Sequence, residues 1–341
     1  MWLNELWFVL IAVLWVGFLV LEGFDFGVGA LLPIVGRDDR GRRVLINTIG
    51  PVWDGNEVWL ITALGAMFAA FPHWYAAMLS GFYLPMLAIL VLLIIRGVAF
   101  EYRAKGHGDR WRAGWDRCIV VASWGLPVLF GIVLANLLRG VPLDAAGEFT
   151  GDLWTLLNPF ALATGAVTLL LCLTHGAVFL ALKTKGEIRD RARALAVPLA
   201  AAGVFAVAGL QVWQQTLRGN TGSVVFAVLA PAGLVVTVLG TRAGRDGWAF
   251  AGSALAMLST VAGLFTALHP AVMVSSTDPG HSLTLVTAAS GQYTLTVMSW
   301  VALGLLPFVL GYQAWSYWVF RRRISLAMIP PTPAREPAGV R

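Results

Sequence analysis

Four carboxylate side chains lie within stretches that are otherwise apolar: Glu22 and Asp25 in one stretch, Asp54 and Glu57 in the next. Each pair is spaced i, i+3, which places both carboxylates on one face of a helix. An ionised carboxylate inside a bilayer costs roughly 2.5–3.5 kcal/mol, so such groups take up protons, form hydrogen bonds or face a hydrated cavity. Held together, they could relay protons. They could equally fix helix packing through hydrogen bonds, and both interpretations stay open.

The second pair of acids belongs to a segment with the composition of a polar site. Gly50–Pro51 predicts a kink, where freed backbone groups can line a polar path, and Trp53 and Asn56 flank the acids. Along a helix, Asp25 lies about 16 Å from the connection that follows it, and Asp54 lies about 12 Å from the same connection. We therefore expect Asp25 and Asp54 to be neighbours at similar depth, near the middle of the membrane.

The other polar residues within apolar stretches favour structural roles. Arg96 could balance a buried carboxylate, but its position close to a span end favours snorkelling to the lipid headgroups. His175 is a lone histidine within a span, which is typical of a hydrogen-bonded structural residue. The spacing of Cys118 and Cys172 is not that of metal ligands, and we expect both to be small buried hydrophobic residues. No P-loop, HExxH or dinucleotide motif is present, so we expect no catalytic, cofactor-binding or metal-binding residue in this chain.

Composition predicts the surroundings of these residues. Of 341 residues, 58% are hydrophobic and 12% are charged, whereas soluble domains are about 25% charged. Stretches of about 20 apolar residues span a bilayer as helices. We predict an all-α polytopic membrane protein with nine transmembrane helices and no connection long enough for a soluble catalytic domain. The predicted spans are 6–35, 47–71, 75–100, 117–138, 158–182, 194–214, 222–240, 248–268 and 291–320.

Basic residues are distributed unevenly between the connections. All but three of the 24 lysines and arginines lie on one side of the predicted topology. The positive-inside rule then places the N-terminus outside and the C-terminus in the cytoplasm, so the net charge of +6 indicates orientation and not nucleic-acid binding. Residues 1–325 are predicted to form a single transmembrane domain, and 326–341 a disordered cytoplasmic tail. The basic segments are 36–46, 101–117, 183–193, 241–247 and the tail, and the exceptions are Arg96, Arg139 and Arg218.

Several motifs resemble one membrane-enzyme family. Residues 22–29, EGFDFGVG, and residues 47–60, NTIGPVWDGNEVWL, resemble the first and second helices of the smaller subunit of cytochrome bd-type quinol oxidases. Further matches follow in order along nearly the whole chain. They are FAAFP at 68–72, SGFY at 80–83, FEYR at 100–103, WRAGWD at 111–116, NLLRGVP at 136–142, LNPF at 157–160 and LTVMSW at 295–300.

The resemblance implies a subunit of an oxidoreductase that oxidises quinol and reduces dioxygen to water. In that family a larger subunit 1 holds two b-type haems and one haem d and oxidises the quinol, and the smaller subunit has nine spans and no haem. Protons are taken up from the cytoplasm, which makes turnover electrogenic without a pump. Small single-span accessory subunits, lipids and a quinone bound to this subunit are compatible with the resemblance. The expected location is the bacterial cytoplasmic (inner) membrane.

The resemblance also implies roles for individual residues. Asp25 and Asp54 match positions that line a proposed proton path, and Glu22 and Glu57 are assigned to the same path although relatives carry other polar residues there. Trp53 is assigned, with Asn56, to packing beside the path or to a lipid or quinone contact. The connection 215–221 is short compared with some relatives, which puts a quinone site near that loop in doubt.

Two other functions fit the same residues. Mid-membrane carboxylates beside a Gly-Pro break also suit an ion-coupled secondary transporter, which would need a substrate and no haem partner. In a purely structural subunit, the acids would be satisfied by hydrogen bonds, and their replacement would lower assembly but not turnover.

Overall fold

Long helices form most of the chain in the computed structural model, which describes residues 1–106 and 108–330. Thirteen α-helices occur in those residues. They are α1 (Trp2–Ala30), α2 (Leu32–Val35), α3 (Asp39–Ile49), α4 (Trp53–Ala70), α5 (Pro72–Gly81), α6 (Tyr83–Tyr102), α7 (Asp109–Arg139), α8 (Leu153–Leu156), α9 (Pro159–Lys183), α10 (Glu187–Arg218), α11 (Thr221–Arg242), α12 (Asp246–Leu268) and α13 (Gln292–Val319).

Eight helices in the described part of the chain are long and apolar enough to cross a membrane: α1, α6, α7 and α9 to α13. The predicted class, an all-α polytopic membrane protein, is confirmed, and each of these helices overlaps a predicted span. The predicted span 47–71 is not among the eight. Its helix, α4, carries Asp54, Asn56 and Glu57 in its first two turns, and these residues lower the hydropathy of an 18-residue helix.

Two of the predicted spans are interrupted. The kink predicted at Gly50–Pro51 is confirmed, because α3 ends at Ile49 and α4 begins at Trp53. Pro51 has no N–H to donate to a preceding carbonyl, which favours a break at this point. The predicted span 75–100 is divided between α5 and α6 at Phe82, whose side chain is fully buried. After the first break, Asn56 in the first turn of α4 lies in the interior of the protein.

Helix α1 lies at the centre of the bundle and contacts α4, α7, α9, α12 and α13. Its approach to α9 is close because glycines face each other: a Cβ atom built on Gly27 would lie 1.9 Å from the carbonyl oxygen of Cys172 and 2.8 Å from Cα of Gly176. Small residues at such contacts let membrane helices pack backbone against backbone. The contact fixes the rotation of α1, and with it the direction in which its acidic side chains point.

The arginine-rich side of the bundle is held by ion pairs. Arg103, directly after α6, donates from Nε to Asp116 Oδ1 over 2.5 Å and from Nη2 to Asp39 Oδ1 over 2.8 Å. Burial opposes the charge on Arg103, but its hydrogen bonds to the two carboxylates and their charges raise its pKa above the usual value. At the start of α12, on the same side of the bundle, Asp246 accepts from Arg189 at 2.8 Å and from Arg323 at 3.0 Å.

The segments before and after α13 have defined structures. The connection before α13 forms a short antiparallel pair of strands, β1 (Ala271–Met273) and β2 (Leu283–Thr284). Within the predicted tail, residues 326–330 lie against α3: Ile329 is buried, and its carbonyl accepts from Arg40 Nε over 2.7 Å. Residues 331–341 lie outside the described residues, so disorder there stays a prediction.

Replacing Gly27 by alanine tests the α1–α9 contact. The added methyl group would meet backbone atoms that cannot rotate away, so the helices must separate, with a loss of at least about 1–3 kcal/mol as for other overpacked sites. We expect a lower midpoint of thermal unfolding in detergent, followed by fluorescence-detected size exclusion. Gly209→Ala is the matched control, because a Cβ atom built on Gly209 would have nothing within 4 Å. Equal midpoints for both variants would contradict the role of the contact.

Candidate functional site

A cluster of polar side chains is enclosed where α1, α4 and α6 meet. We call Glu22, Asp25, Asn56, Glu57 and Arg96 the Arg96 cluster. The i, i+3 spacing of Glu22 and Asp25 points both side chains into the protein, and both are fully buried. Asn56 and Glu57 come from the start of α4, which the break after α3 places beside α1.

Arg96 is the cation of this cluster. Its side chain is fully buried, and Nη1 donates to Glu22 Oε1 and, over 3.0 Å, to Glu57 Oε1. The rings of Phe26 and Phe100 lie 4.9 and 5.0 Å from its Cζ atom, within the range of cation–π attraction. The prediction that Arg96 snorkels to the headgroups is therefore wrong. Two carboxylates within reach offer stronger stabilisation than a stretched side chain at the interface.

The carboxylate of Asp25 accepts a hydrogen bond from the side-chain amide of Asn56. Asn56 Nδ2 donates to Asp25 Oδ2 over 2.7 Å and to the carbonyl of Leu21 over 3.3 Å. The oxygen of the same amide, Oδ1, accepts from Gln313 Nε2 over 3.1 Å and from the Tyr317 hydroxyl over 2.8 Å. These two residues connect the last long helix, α13, to the cluster. Asn56 therefore has a defined orientation, with its NH2 group directed at the carboxylate.

Part of each buried carboxylate has no donor. Glu22 Oε2 and Asp25 Oδ1 receive no hydrogen bond from the described residues, and Arg96 Nε and Nη2 donate none to them. The cluster holds three carboxyl groups and one guanidinium, so full ionisation would leave two uncompensated negative charges. Buried charges without compensation are strongly unfavourable. The arrangement therefore favours the uptake of protons by the carboxyl groups.

The remaining predicted site residues lie at the edge of the cluster. Asp54 is exposed on α4, whereas Asp25 is fully buried and accepts its hydrogen bond from Asn56. Trp53 is half-buried, with its ring 5.3 Å from that of Phe100. The sequence interpretation missed Gln313 and Tyr317 altogether. The only feature of the sequence that could have indicated these two residues is that they are polar within an apolar span.

The histidine inside the bundle has a hydrogen-bond partner at each ring nitrogen. His175 is fully buried, with Nδ1 2.7 Å from Ser253 Oγ and Nε2 3.1 Å from the carbonyl of Val20. Because both nitrogens are engaged, His175 does not fit the role of an axial ligand, and it is a hydrogen-bonded structural residue as predicted. Within residues 1–106 and 108–330, no three His, Cys, Asp or Glu side chains are grouped to hold a metal ion.

The fold and the Arg96 cluster define a polytopic helical membrane protein with an ionisable centre inside the bilayer. The chain belongs to the cytochrome bd terminal oxidase subunit II family, whose model matches residues 3–320. It is 44% identical over 328 residues to the cytochrome bd ubiquinol oxidase subunit 2 of Bacillus subtilis (strain 168), covering 95% of this chain and 97% of that protein. The resemblance seen in the motifs is confirmed.

A second relative and a solved structure agree. Identity is 39% over 362 residues to the cytochrome bd-I ubiquinol oxidase subunit 2 of Escherichia coli (strain K12), with 95% of each chain covered. The bd oxidase of Geobacillus thermodenitrificans has the same fold, with a TM-score of 0.76 over 94% of this chain and 99% of that chain at 19% identity. The protein is thus a subunit 2 of a terminal oxidase complex, which includes a partner subunit 1 and haem.

Replacing Arg96 by glutamine should strongly destabilise the protein. Removing one partner of a buried ion pair typically costs about 3–5 kcal/mol, because the other charges stay buried. Arg110→Gln is the control, since Arg110 is exposed in the first turn of α7, and surface substitutions usually change stability by less than about 0.5 kcal/mol. We expect a much lower thermal midpoint for Arg96→Gln, and partial recovery in the double variant Glu22→Gln/Arg96→Gln. Equal midpoints for the two single variants would show that the cluster is not held by Arg96.

Proposed function

We propose that this chain conducts protons through the Arg96 cluster to the haem-bearing subunit 1, which oxidises quinol and reduces dioxygen to water. The observation that carries the proposal is the enclosure of three carboxyl groups with one guanidinium inside a membrane protein. Such a set holds at least one exchangeable proton for reasons of charge alone. Four protons are needed per dioxygen reduced to two waters, and they must reach a partner within the bilayer.

A gradient of exposure across the four acids supports a direction for the path. Glu22 and Asp25 are fully buried, the Glu57 side chain is 20% exposed, and Asp54 is exposed. Asp54 and Glu57 are spaced i, i+3 and so share a face of α4. In the proposed path, protons from the cytoplasm reach Glu22 and Asp25, pass to Glu57 and leave through Asp54 toward subunit 1. Trp53 and Asn56 hold the geometry, with Asn56 orienting Asp25.

The exposed position of Asp54 also indicates where subunit 1 packs. A carboxylate facing lipid is costly, so the face of α4 that carries Asp54 is covered in the assembled enzyme. The neighbouring α13 has a single buried residue, Leu295, along its whole described length. Its large side chains, such as Trp300 and Phe308, are 70% and 77% exposed. We assign this continuous face of α4 and α13 to the partner subunit.

The topology that accompanies this function has nine spans. Eight are the long apolar helices, and the ninth is the polar helix α4 together with the end of α3. With an odd number of spans the two termini lie on opposite sides of the membrane, and the arginine-rich connections favour an N-terminus outside and a C-terminus in the cytoplasm of a bacterium. Proton uptake across part of the membrane then makes turnover electrogenic. The two b-type haems, the haem d and the quinol site belong to subunit 1 in this proposal, with lipids and small single-span subunits around the pair.

Replacing Asp25 or Asp54 by asparagine tests the path. Asparagine keeps the size of the side chain but cannot carry the proton, so we expect quinol-driven oxygen consumption to fall about tenfold or more. Reduced-minus-oxidised visible spectra should show unchanged haem content per complex. Asp190→Asn is the control, because Asp190 is an exposed residue at the start of α10. Unchanged turnover in a variant would remove that residue from the path. Loss of haem in proportion to activity would favour a structural role.

A charged residue on α13 tests the partner face. Phe308→Arg places a cation on the face assigned to subunit 1, and we expect haem to be lost from the complex that co-purifies through a tag on this chain. Phe205→Arg on α10 is the matched control, since Phe205 is 80% exposed on another helix. Both changes carry a similar cost toward lipid, so equal haem retention would refute the assignment of the face.

A further inference from the structure

A second buried polar group lies far along the chain from the Arg96 cluster, between α10 and α11. A groove of about 490 Å³ runs between these helices. Its walls are apolar, with Val224, Ala227, Val228 and Pro231 of α11 facing the end of α10. Val228 is 62% exposed, so the groove opens on the surface that faces lipid.

Glutamine side chains form the polar part of this groove. Gln211 is 1% exposed, and both its Oε1 and Nε2 atoms lack a partner among the described residues. Gln215 accepts from Ser223 Oγ over 2.9 Å, which leaves its Nε2 without an acceptor. Unsatisfied amides are costly in an apolar setting, so two amide donors in one groove indicate a ligand with carbonyl oxygens.

The spacing along α10 adds a charge to this pattern. Gln211, Gln215 and Arg218 are at i, i+4 and i+7, which is one face of the helix. Arg218 is exposed in the last turn and forms no ion pair with the described residues. Along the axis, Gln215 lies about 4.5 Å and Gln211 about 10 Å below Arg218. The interfacial layer outside the hydrocarbon core is about 5–8 Å thick on each side of a bilayer. A headgroup at Arg218 therefore places ester groups beside the glutamines.

We infer that this groove is a binding site for one anionic phospholipid, with its phosphate at Arg218, its ester carbonyls accepting from Gln215 and Gln211, and an acyl chain along Val228 and Pro231. The chemistry favours this occupant over a quinone, because a neutral quinone has no negative charge to form an ion pair with Arg218. The site lies on the side opposite the arginine-rich connections, where Arg139 and Arg218 are the basic residues of the connections. It is independent of the proposed proton path.

The groove can be filled to test the inference. The complex is purified in mild detergent through a tag on this chain, and bound lipids are counted by native mass spectrometry. Val228→Trp fills the groove, and Val225→Trp is the control, because Val225 is 55% exposed on α11 but does not line the groove. We expect the Val228→Trp complex to retain one phospholipid fewer than the wild type and the control. An equal phospholipid count in all three would overturn the inference, as would loss of a quinone with phospholipid unchanged.

Headgroup and carbonyl contacts are tested by titration with phosphatidylglycerol and phosphatidylethanolamine. Arg218→Gln should reduce the preference for phosphatidylglycerol about fivefold, since one arginine near an anionic surface contributes on the order of 1 kcal/mol. Gln211→Leu should weaken binding of both lipids by about three- to tenfold through the lost hydrogen bond. Gln292→Leu is its control, because Gln292 lies on α13, donates to Asn4 Oδ1 over 2.9 Å and does not line the groove. Binding without headgroup preference in the wild type would refute an anionic-lipid site.

Discussion

The ion contact between Arg96 and the two glutamates is the interaction on which the rest of the structure depends. Inside a bilayer, a guanidinium is stable only while its partners stay within hydrogen-bond distance, because water cannot replace them. Glu22 and Glu57 come from α1 and α4, so one side chain of α6 holds three helices together. The aromatic rings of Phe26 and Phe100 exclude water from the contact and add cation–π attraction.

This requirement explains the packing around α1. The facing glycines Gly27 and Gly176 bring α1 and α9 together at backbone distance, which leaves α1 no freedom to rotate its acids toward lipid. The break after α3 turns the start of α4 inward, so that Asn56 reaches Asp25. At the arginine-rich edge, the Arg103 and Asp246 ion pairs hold the helix ends. The polar interior is thus enclosed by close helix contacts on its sides and by charge pairs at one end.

Sequence patterns predicted what depends on local composition and missed what depends on distant contacts. Long apolar stretches gave the spans, and the i, i+3 spacing placed Glu22 and Asp25 on one buried face. The interpretation of Arg96 failed because distance from a helix end says nothing about a glutamate 74 residues earlier. The contact of Gln313 with Asn56 joins residues 257 apart and has no local signal. Asp54 is exposed in the isolated chain, and no single sequence contains the partner that would cover it.

The order of synthesis gives the ion contact a further consequence. Glu22 leaves the ribosome 74 residues before Arg96, so α1 and α4 meet the membrane while their counter-charge is still unmade. The first two turns of α4 are also polar, which weakens the insertion of this helix into lipid by itself. We therefore expect the carboxyl groups of the first helices to stay protonated or hydrated until α6 is inserted. On this basis, stable integration of α1 and α4 into the membrane depends on α6, whose Arg96 supplies the positive charge that both helices need.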